Sequence, residues 1–274
     1  MPDGFRRLLT GTLLSVFFLS SPCIGEEKIQ QFSSLIEIHT DGGLTITEKI
    51  TVLAEGDRIR RGIYRDFPTR YKDRSGKAKT VGFQLLDVKR DGKREPYRLE
   101  NISNGVRVYI GRGDHFLPHG QYSYELIYQT DRQLGFFERH DELYWNVTGN
   151  DWAFTIEQAD AVVQLPAGVS THDAELTAYT GARGEAGRDY RLDTLTDGQV
   201  RFEITRPLPP GSGFTIVAGW PKGFVAEPTT HQRLSYFFQD NLAVVVGLAG
   251  FFLVHLRLES RWPGSRAGHY LSSI

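Results

Sequence analysis

The sequence has 274 residues and a formal net charge of −1, which argues against a protein built mainly to hold nucleic acid, since such proteins carry a basic surface. Hydrophobic residues make up 40% of the chain and charged residues 24%; these proportions are ordinary for a folded protein and argue against a mostly disordered one. The length suffices for one large domain or two small ones, each with its own core.

The N-terminus carries the pattern of a secretory signal peptide. Arg6 and Arg7 precede an apolar run over residues 8–20, and small residues follow as far as Gly25. A basic start, a short apolar stretch and a small-residue end are typical of a segment that is removed on export. We therefore predict a signal peptide over residues 1–25 and a mature chain that begins at Glu26, with a retained membrane anchor as the alternative.

Cys23 is the only cysteine, and it lies inside the predicted signal peptide. Pro22 precedes it, whereas a lipoprotein signal needs a small residue at that position, so lipidation is disfavoured. Cleavage after Gly25 would leave a mature chain without cysteine, which excludes disulfides, thiol catalysis and cysteine-ligated zinc.

From Lys28 onward, apolar and polar residues alternate, and turn sequences such as Asp41-Gly42-Gly43 separate the alternating runs. Alternation with a period of two predicts half-buried strands, and many short strands at this spacing are typical of a β-sandwich. We predict a mainly β fold, an antiparallel sandwich over residues 26–230 that forms one large or two small units with a sub-boundary near Ala159. The predicted strands are Leu44–Leu53, Val81–Arg90, Val106–Ile110, Tyr122–Gln129, Leu143–Val147, Phe154–Leu165, Leu176–Tyr179, Val200–Thr205 and Phe214–Gly219.

An apolar run near the end of the chain, residues 242–256, predicts a transmembrane helix over residues 234–256. Aromatic residues at 236–238 precede the run and arginines follow it, which favours a short cytoplasmic tail over residues 257–274. The run is shorter than the roughly 20 residues that a span needs. A buried core helix is the alternative.

Three stretches carry a family resemblance: Gly62–Tyr71 (GIYRDFPTRY), Arg132–Trp152 (with LGFF and DELYWNVTGNDW) and Phe214–Gly223 (FTIVAGWPKG). They resemble the predicted bacterial membrane proteins of domain-of-unknown-function family 2207, and the likeness extends from about Glu27 to Leu253. The resemblance implies an extracytoplasmic N-terminal β domain followed by transmembrane helices. It implies no activity and no catalytic residue.

The resemblance stops near Val254. Family members continue with a Trp-x-Arg-Val-Gly element, whereas this chain reads His255-Leu256-Arg257 and ends at Ile274. A back-translation with freely chosen codons, read one base further on, gives a family-like continuation that includes Trp-Asn-Arg-Val-Gly. We therefore predict that the tail is a frameshifted, truncated product, which resequencing of the locus would test.

The densest group of acidic residues contains Glu138, Asp141, Glu142 and Asp151. Two carboxylates placed across a sugar could act as acid and base in glycoside cleavage, although sequence spacing cannot show their separation. A solvated loop before the following strand is the structural alternative. His115 and His119 have the spacing of a helical zinc pair, but Pro118 and Gly120 make that stretch a turn.

Arginines interleave with aromatic residues between Arg58 and Tyr71, as in sites for an anionic glycan or a lipid headgroup, or as in a loop with local ion pairs. We expect this stretch and the Leu134–Trp152 stretch to approach each other and frame a groove. The candidate binding surface comprises Tyr64, Arg65, Asp66, Arg70, Tyr71, Glu138, Asp141, Glu142, Trp145, Asn146, Asn150 and Trp152.

Two functions remain open from the sequence. The first is a non-enzymatic, membrane-anchored module of the bacterial envelope that binds a ligand or a membrane-protein partner outside the cytoplasmic membrane, with the bilayer as a second partner through the C-terminal helix. The second is a hydrolase of envelope polysaccharide that uses the acidic group. Neither hypothesis calls for a cofactor, a metal ion or nucleic acid.

Overall fold

The structure is a computed structural model that describes residues 25–72, 76 and 78–261. The signal peptide predicted over residues 1–25 lies outside the described residues except for Gly25, as does the tail beyond residue 261. Both of those expectations stay predictions.

The described residues form seventeen strands, one short 3-10 helix (Thr171–Asp173) and two α-helices. The strands are β1 (Lys28–Ile38), β2 (Leu44–Ala54), β3 (Gly62–Pro68), β4 (Arg70–Lys72), β5 (Ala78–Thr80), β6 (Phe83–Arg90), β7 (Lys93–Arg94), β8 (Tyr97–Ile102), β9 (Gly105–Gly111), β10 (Gly120–Thr130), β11 (Leu134–Phe136), β12 (His140–Asn146), β13 (Ala159–Gln164), β14 (Glu175–Ala182), β15 (Tyr190–Thr196), β16 (Gln199–Ile204) and β17 (Ser212–Pro221). The helices are α1 (Thr230–Asp240) and α2 (Leu242–Arg261). The prediction of a mainly β chain is confirmed.

The largest sheet has eight strands in the order β15-β16-β13-β1-β2-β10-β6-β7. Its strands were expected to be wholly antiparallel, and that expectation is wrong for one pair, because β1 runs parallel to β13 over six residue pairs. A parallel pair needs a long crossover, here the whole stretch from β2 to β12, and no local turn sequence announces it. Ala159, where the sequence suggested a sub-boundary, begins β13 within this same sheet.

Alternation in the sequence becomes alternation in burial on the large sheet. In β2, for example, Leu44, Ile46, Ile50 and Val52 are buried, whereas the threonines between them are only partly covered. One face of β2 therefore contributes to the core, as the period-two pattern requires.

Two smaller sheets contribute to the same core. The three-stranded sheet has the order β3-β9-β8, and the four-stranded sheet has the order β11-β12-β17-β14. Val108 of β9 and Leu143 of β12 belong to one continuous cluster of buried residues with the large sheet. β3 is at one edge of the three-stranded sheet and β11 is at one edge of the four-stranded sheet. The candidate site lies at these two edges.

The C-terminal segment is a pair of helices, not the continuous helix over residues 234–256 that the sequence suggested. The chain breaks at Asn241, and the axes of residues 230–240 and 244–258 differ by 77°. Within the described residues, neither helix alone has the length and apolar composition of a membrane crossing, whereas the two together pass that test as a bent span.

Candidate functional site: a groove between two sheet edges

A groove with a volume of about 890 Å³ lies between β3 on one side and β11, β12 and the loop after β12 on the other. Residues 64–68 of β3 form one wall, and residues 133–137 together with much of the stretch between 142 and 152 form the other. Phe83, Tyr128 and Thr130 of the large sheet also line the groove. The expected approach of the Gly62–Tyr71 and Leu134–Trp152 stretches is confirmed, since both contribute walls to one cavity.

A buried ion pair joins β3 to the large sheet beneath the groove. The Nε and Nη2 atoms of Arg65 each donate to a carboxylate oxygen of Glu48 at 2.9 Å. The Tyr128 hydroxyl donates to the same carboxylate at 2.8 Å. Glu48 is 0% exposed and Arg65 is 7% exposed. Because a buried charge without a partner is costly, these contacts fix Arg65 in one position.

Arg65 also connects the two walls of the groove. Its Nη2 atom donates to the backbone carbonyl of Val147 at 3.1 Å, across 82 residues of sequence. Burial by itself would lower the pKa of Arg65, but the Glu48 carboxylate outweighs that effect and raises it. Burial, together with the Glu48 charge, raises the pKa of Tyr128 well above its usual value. Arg65 is therefore charged and Tyr128 neutral at physiological pH.

Gly149 leaves space for this guanidinium. It has a φ of +76°, and a Cβ atom built at this position would lie 2.9 Å from Nη1 of Arg65. Two features favour glycine here, since L side chains rarely adopt this backbone conformation and a methyl group would displace Arg65. The loop that holds Gly149 is closed by Asn146, whose side-chain oxygen accepts from the Gly149 amide at 2.9 Å.

Aromatic rings cover much of the groove. Tyr64 is 43% exposed and Tyr144 is 52% exposed, and both line the groove together with Trp145 and Trp152. Trp152 is fixed by a bond from Nε1 to the Thr148 carbonyl at 2.8 Å. The indole N–H of Trp145 is shielded from solvent, and no described residue accepts from it.

The charges that line the groove are largely balanced. Asp66 accepts two bonds from Arg107, at 2.6 and 2.7 Å. Arg183 lies 3.9 Å from Asp151, and both line the groove. Since Arg65 is occupied by Glu48, the groove does not present the cationic surface that the arginine-rich stretch suggested for an anionic ligand. Arg70, also part of that stretch, does not line the groove.

The acidic group predicted from the sequence does not form one cluster. Glu142 and Asp151 line the groove, whereas Glu138 is exposed in the turn before β12 and does not. Asp141 was placed in a solvated loop by one interpretation, and this is wrong. It lies in β12, is 0% exposed and accepts from Lys222 Nζ at 2.6 Å. Neighbouring residues of a strand point to opposite faces, so Asp141 and Glu142 do not face one site.

A family model described as the N-terminal domain of predicted membrane proteins, DUF2207, matches residues 28–220. The chain belongs to this family. The matched region contains both walls of the groove and ends one residue before the end of β17. Membership places this DUF2207 chain among predicted membrane proteins.

An Escherichia coli K12 protein, the uncharacterized protein YciQ, is 30% identical over 245 residues. The match covers 86% of this DUF2207 chain but only 38% of YciQ. The chain therefore spans less than half the length of this relative.

Among solved structures, native yeast LTA4 hydrolase is 11% identical, with a TM-score of 0.45 over 71% of this chain and 29% of the enzyme. The M1 zinc metallopeptidase from Deinococcus radiodurans is 13% identical, with a TM-score of 0.39 over 70% of this chain and 42% of the enzyme. Both scores lie below 0.5, so no property of those enzymes is carried over to this DUF2207 chain. Among the residues described for the chain itself, no group of three or more His, Cys, Asp and Glu could hold a metal ion.

Nine of the twelve candidate residues line the groove, and Arg70, Glu138 and Asp141 do not. Sequence reasoning missed Phe83, Gln133, Phe136 and Arg183, which also line it. Gln133 accepts from the Tyr71 hydroxyl at 2.8 Å and so joins the two walls a second time. Gln133 and Phe136 lie inside the Arg132–Trp152 motif, and this was the available signal for them.

Proposed function

We propose that the β domain of this protein is a two-layered sandwich that lies outside the cytoplasmic membrane of a bacterium, after removal of a signal peptide. The C-terminal helices tether it, and the groove binds an envelope ligand or protein partner. Location outside the membrane rests on the basic and apolar pattern of the N-terminus and on the family resemblance.

The observation that carries the binding proposal is the convergence of two distant stretches on one rigid, aromatic groove. Tyr64 comes from β3, and Tyr144 and Trp145 come from β12, yet all three line the same cavity. The buried pair of Arg65 and Glu48 holds the walls in a fixed relation. A preformed concave site with a few oriented polar groups is the usual form of a ligand pocket.

The lining favours a neutral, elongated ligand with apolar faces and hydroxyl or amide groups, and we propose a glycan strand. Exposed tyrosine rings offer flat apolar surfaces beside polar edges. Asn146, Asn150 and Gln133 supply amide groups along the lining. Since Asp66 and Arg65 are already paired, charge contributes little to recognition of such a ligand.

A titration of the full chain in detergent tests this proposal. Trp145 and Trp152 line the groove, so ligand binding there should change tryptophan fluorescence. We expect a saturable change with a neutral N-acetylglucosamine oligosaccharide and a smaller one with a heparin oligosaccharide. The double substitution Tyr64→Ala with Tyr144→Ala should weaken the binding several-fold, since interface aromatics often contribute more than about 1 kcal/mol.

The control is Tyr97→Ala, a substitution of an exposed tyrosine of β8 that does not line the groove. It should leave the affinity for the oligosaccharide unchanged. If neither oligosaccharide binds, or if binding is insensitive to Tyr64 and Tyr144, a glycan role for the groove is ruled out.

A further inference from the structure

Helix α1 is attached to the β domain at its C-terminal end by a buried latch. The Nη2 atom of Arg132 donates to Asp240 at 2.6 Å, and the Thr80 amide donates to the other carboxylate oxygen at 2.9 Å. Both charged side chains are only 10% exposed. The guanidinium of Arg132 also lies 4.0 Å from the centre of the Tyr236 ring. We call these contacts the Asp240 latch.

A second set of contacts holds the N-terminal end of α1. Arg233 donates to Glu227 at 2.9 Å, and Glu227 in turn accepts from Lys222 at 2.5 Å. Lys222 also reaches the buried Asp141 of β12. This chain of ion pairs explains the burial of Asp141 that the sequence did not suggest. Together with the Asp240 latch, these ion pairs attach both ends of α1 to the β domain.

Two faces of α1 differ in what they contact. Arg233, Tyr236 and Asp240 recur at the helical spacing of three and four residues and face the domain. Leu234, Phe237 and Phe238 recur at the same spacing on a different face, and all three are exposed. A helix with a polar, attached face and an exposed aromatic face is typical of segments that lie in a lipid interface.

The bend after α1 fits such a position. The axis of α2 is turned by 77° from that of α1, so a helix lying flat in the membrane surface would be followed by one pointing nearly along the membrane normal. The apolar side chains described in α2, such as Leu248 and Phe251, are exposed. The exposed face of α1 therefore continues directly into an apolar helix, in a family of predicted membrane proteins.

We propose that α1 lies in the lipid–water interface with Leu234, Phe237 and Phe238 toward the acyl chains, and that its two attachments hold one rim of the groove against the bilayer. The C-terminal attachment reaches that rim directly. Thr80 lies between Lys79 and Val81, which both line the groove. The bilayer surface is thus a structural partner of the β domain, whatever ligand the groove binds.

Spin labels on the full chain in vesicles of phosphatidylcholine and phosphatidylglycerol test the position of α1. Single cysteines replace Phe237, Phe238 or Gln239 in a Cys23→Ser background, and power saturation compares collisions with oxygen and with a water-soluble nickel chelate. Labels at 237 and 238 should have an oxygen-to-nickel ratio several-fold above that at 239, because Gln239 is exposed on a third, polar face of α1 with Gln232 and Ser235, turned away from Leu234, Phe237 and Phe238. Equal ratios at the three positions would overturn the proposal, whether all are low or all are high.

The position of the groove needs a second measurement. Labels at Lys79 and at Leu192 are compared for relaxation by a gadolinium chelate on lipid headgroups. Leu192 is an exposed residue of β15, at the opposite end of the large sheet from β6, which closely follows Lys79 in the chain. We expect stronger relaxation at position 79 than at 192, and a smaller difference when Asp240→Ala opens the latch. Equal relaxation at the two positions overturns the placement of the rim. A difference unaffected by Asp240→Ala overturns the role of the latch.

Discussion

Arg65 and Glu48 form two parallel hydrogen bonds of 2.9 Å within the core of the β domain. Fork-to-fork pairing of this kind has the most favourable geometry for an arginine and a carboxylate. Because Tyr128 and the Val147 carbonyl complete the arrangement, the pair connects the large sheet with both walls of the groove. Its loss should therefore affect the fold and the site together.

Glu48→Gln should lower the free energy of unfolding by about 3–5 kcal/mol, since it leaves the buried charge of Arg65 without its counter-ion. Chemical denaturation of the full chain in detergent measures the effect. The double substitution Glu48→Gln with Arg65→Met should be less destabilising than the sum of the two single ones. Arg98→Met breaks an exposed pair with Glu100 and should change stability by less than about 1 kcal/mol. If Glu48→Gln and Arg98→Met lowered the free energy of unfolding by similar amounts, a special role for the buried pair would be contradicted.

Gly149→Ala should destabilise the protein more than Gly211→Ala does. Both glycines have a positive φ, of +76° and +81°, so both substitutions carry a backbone cost of roughly 1–2 kcal/mol. Only at Gly149 does the added methyl group meet Arg65; around Gly211 no described atom lies within 4 Å of the built Cβ. If thermal unfolding shows equal losses of stability in the two variants, Arg65 moves aside for the methyl group at no cost in free energy.

Incubation with polysaccharide separates binding from the alternative of glycan hydrolysis. We expect the full chain to release no reducing ends, and Glu142→Gln and Asp151→Asn to bind the oligosaccharide as the parent does. Both residues line the groove, so they are the pair on which the hydrolase hypothesis now depends. Release of reducing ends by the parent chain that disappears in folded Glu142→Gln would instead establish the hydrolase.

The pH dependence of stability should contain a contribution from Glu27. Its carboxylate accepts from the backbone amides of Glu55, Asp57, Arg58 and Ile59. Burial opposes ionisation, but these bonds outweigh it and lower the pKa of Glu27 below its usual value of 4.5. A lowered pKa in the folded state stabilises the fold above pH 4.5, and this contribution is lost as the pH falls through the folded value.

Glu27→Gln should therefore reduce stability at neutral pH, and the difference from the parent should shrink as the pH falls below about 4.5. Glu26→Gln, at the exposed neighbouring residue, is the matched control. A difference between Glu27→Gln and the parent that stays constant down to acidic pH would show that the backbone bonds do not depend on the charge.

Local sequence patterns were sufficient for strands whose partners are near or whose faces alternate clearly, such as β2 and β10. They were insufficient for β3, where Arg65 and Asp66 interrupt the apolar pattern and suggest a loop. Arg65 is buried because Glu48 neutralises it, and Asp141 is buried because Lys222 does so. Such pairings depend on distant parts of the chain, so single-sequence periodicity does not show them.

The same reasoning applies to the site. Tyr64, Trp145 and Trp152 were placed in the candidate surface because aromatic residues stood beside charges in the two motifs, and all three line the groove. Phe83 and Arg183 lie in ordinary strand and turn sequences that carry no such signal. The break at Asn241 did have a local signal, the polar pair Asp240-Asn241 at the start of the apolar run, but hydropathy averaged over a window conceals it.

The central position of β1 has a consequence for how the protein acquires its fold. One neighbour of β1, β2, follows at once, but Ser33 on β1 meets its partner Asp160 on β13 only across 127 residues. Pairings between distant residues slow folding, because the intervening chain must be closed into a loop before the contact forms. The pairing of β1 with β13, and of β13 with β16, cannot form until those later strands have been synthesised. For a domain that we propose to be exported, this delay would keep the leading part of the polypeptide unfolded while it is threaded through a translocation channel.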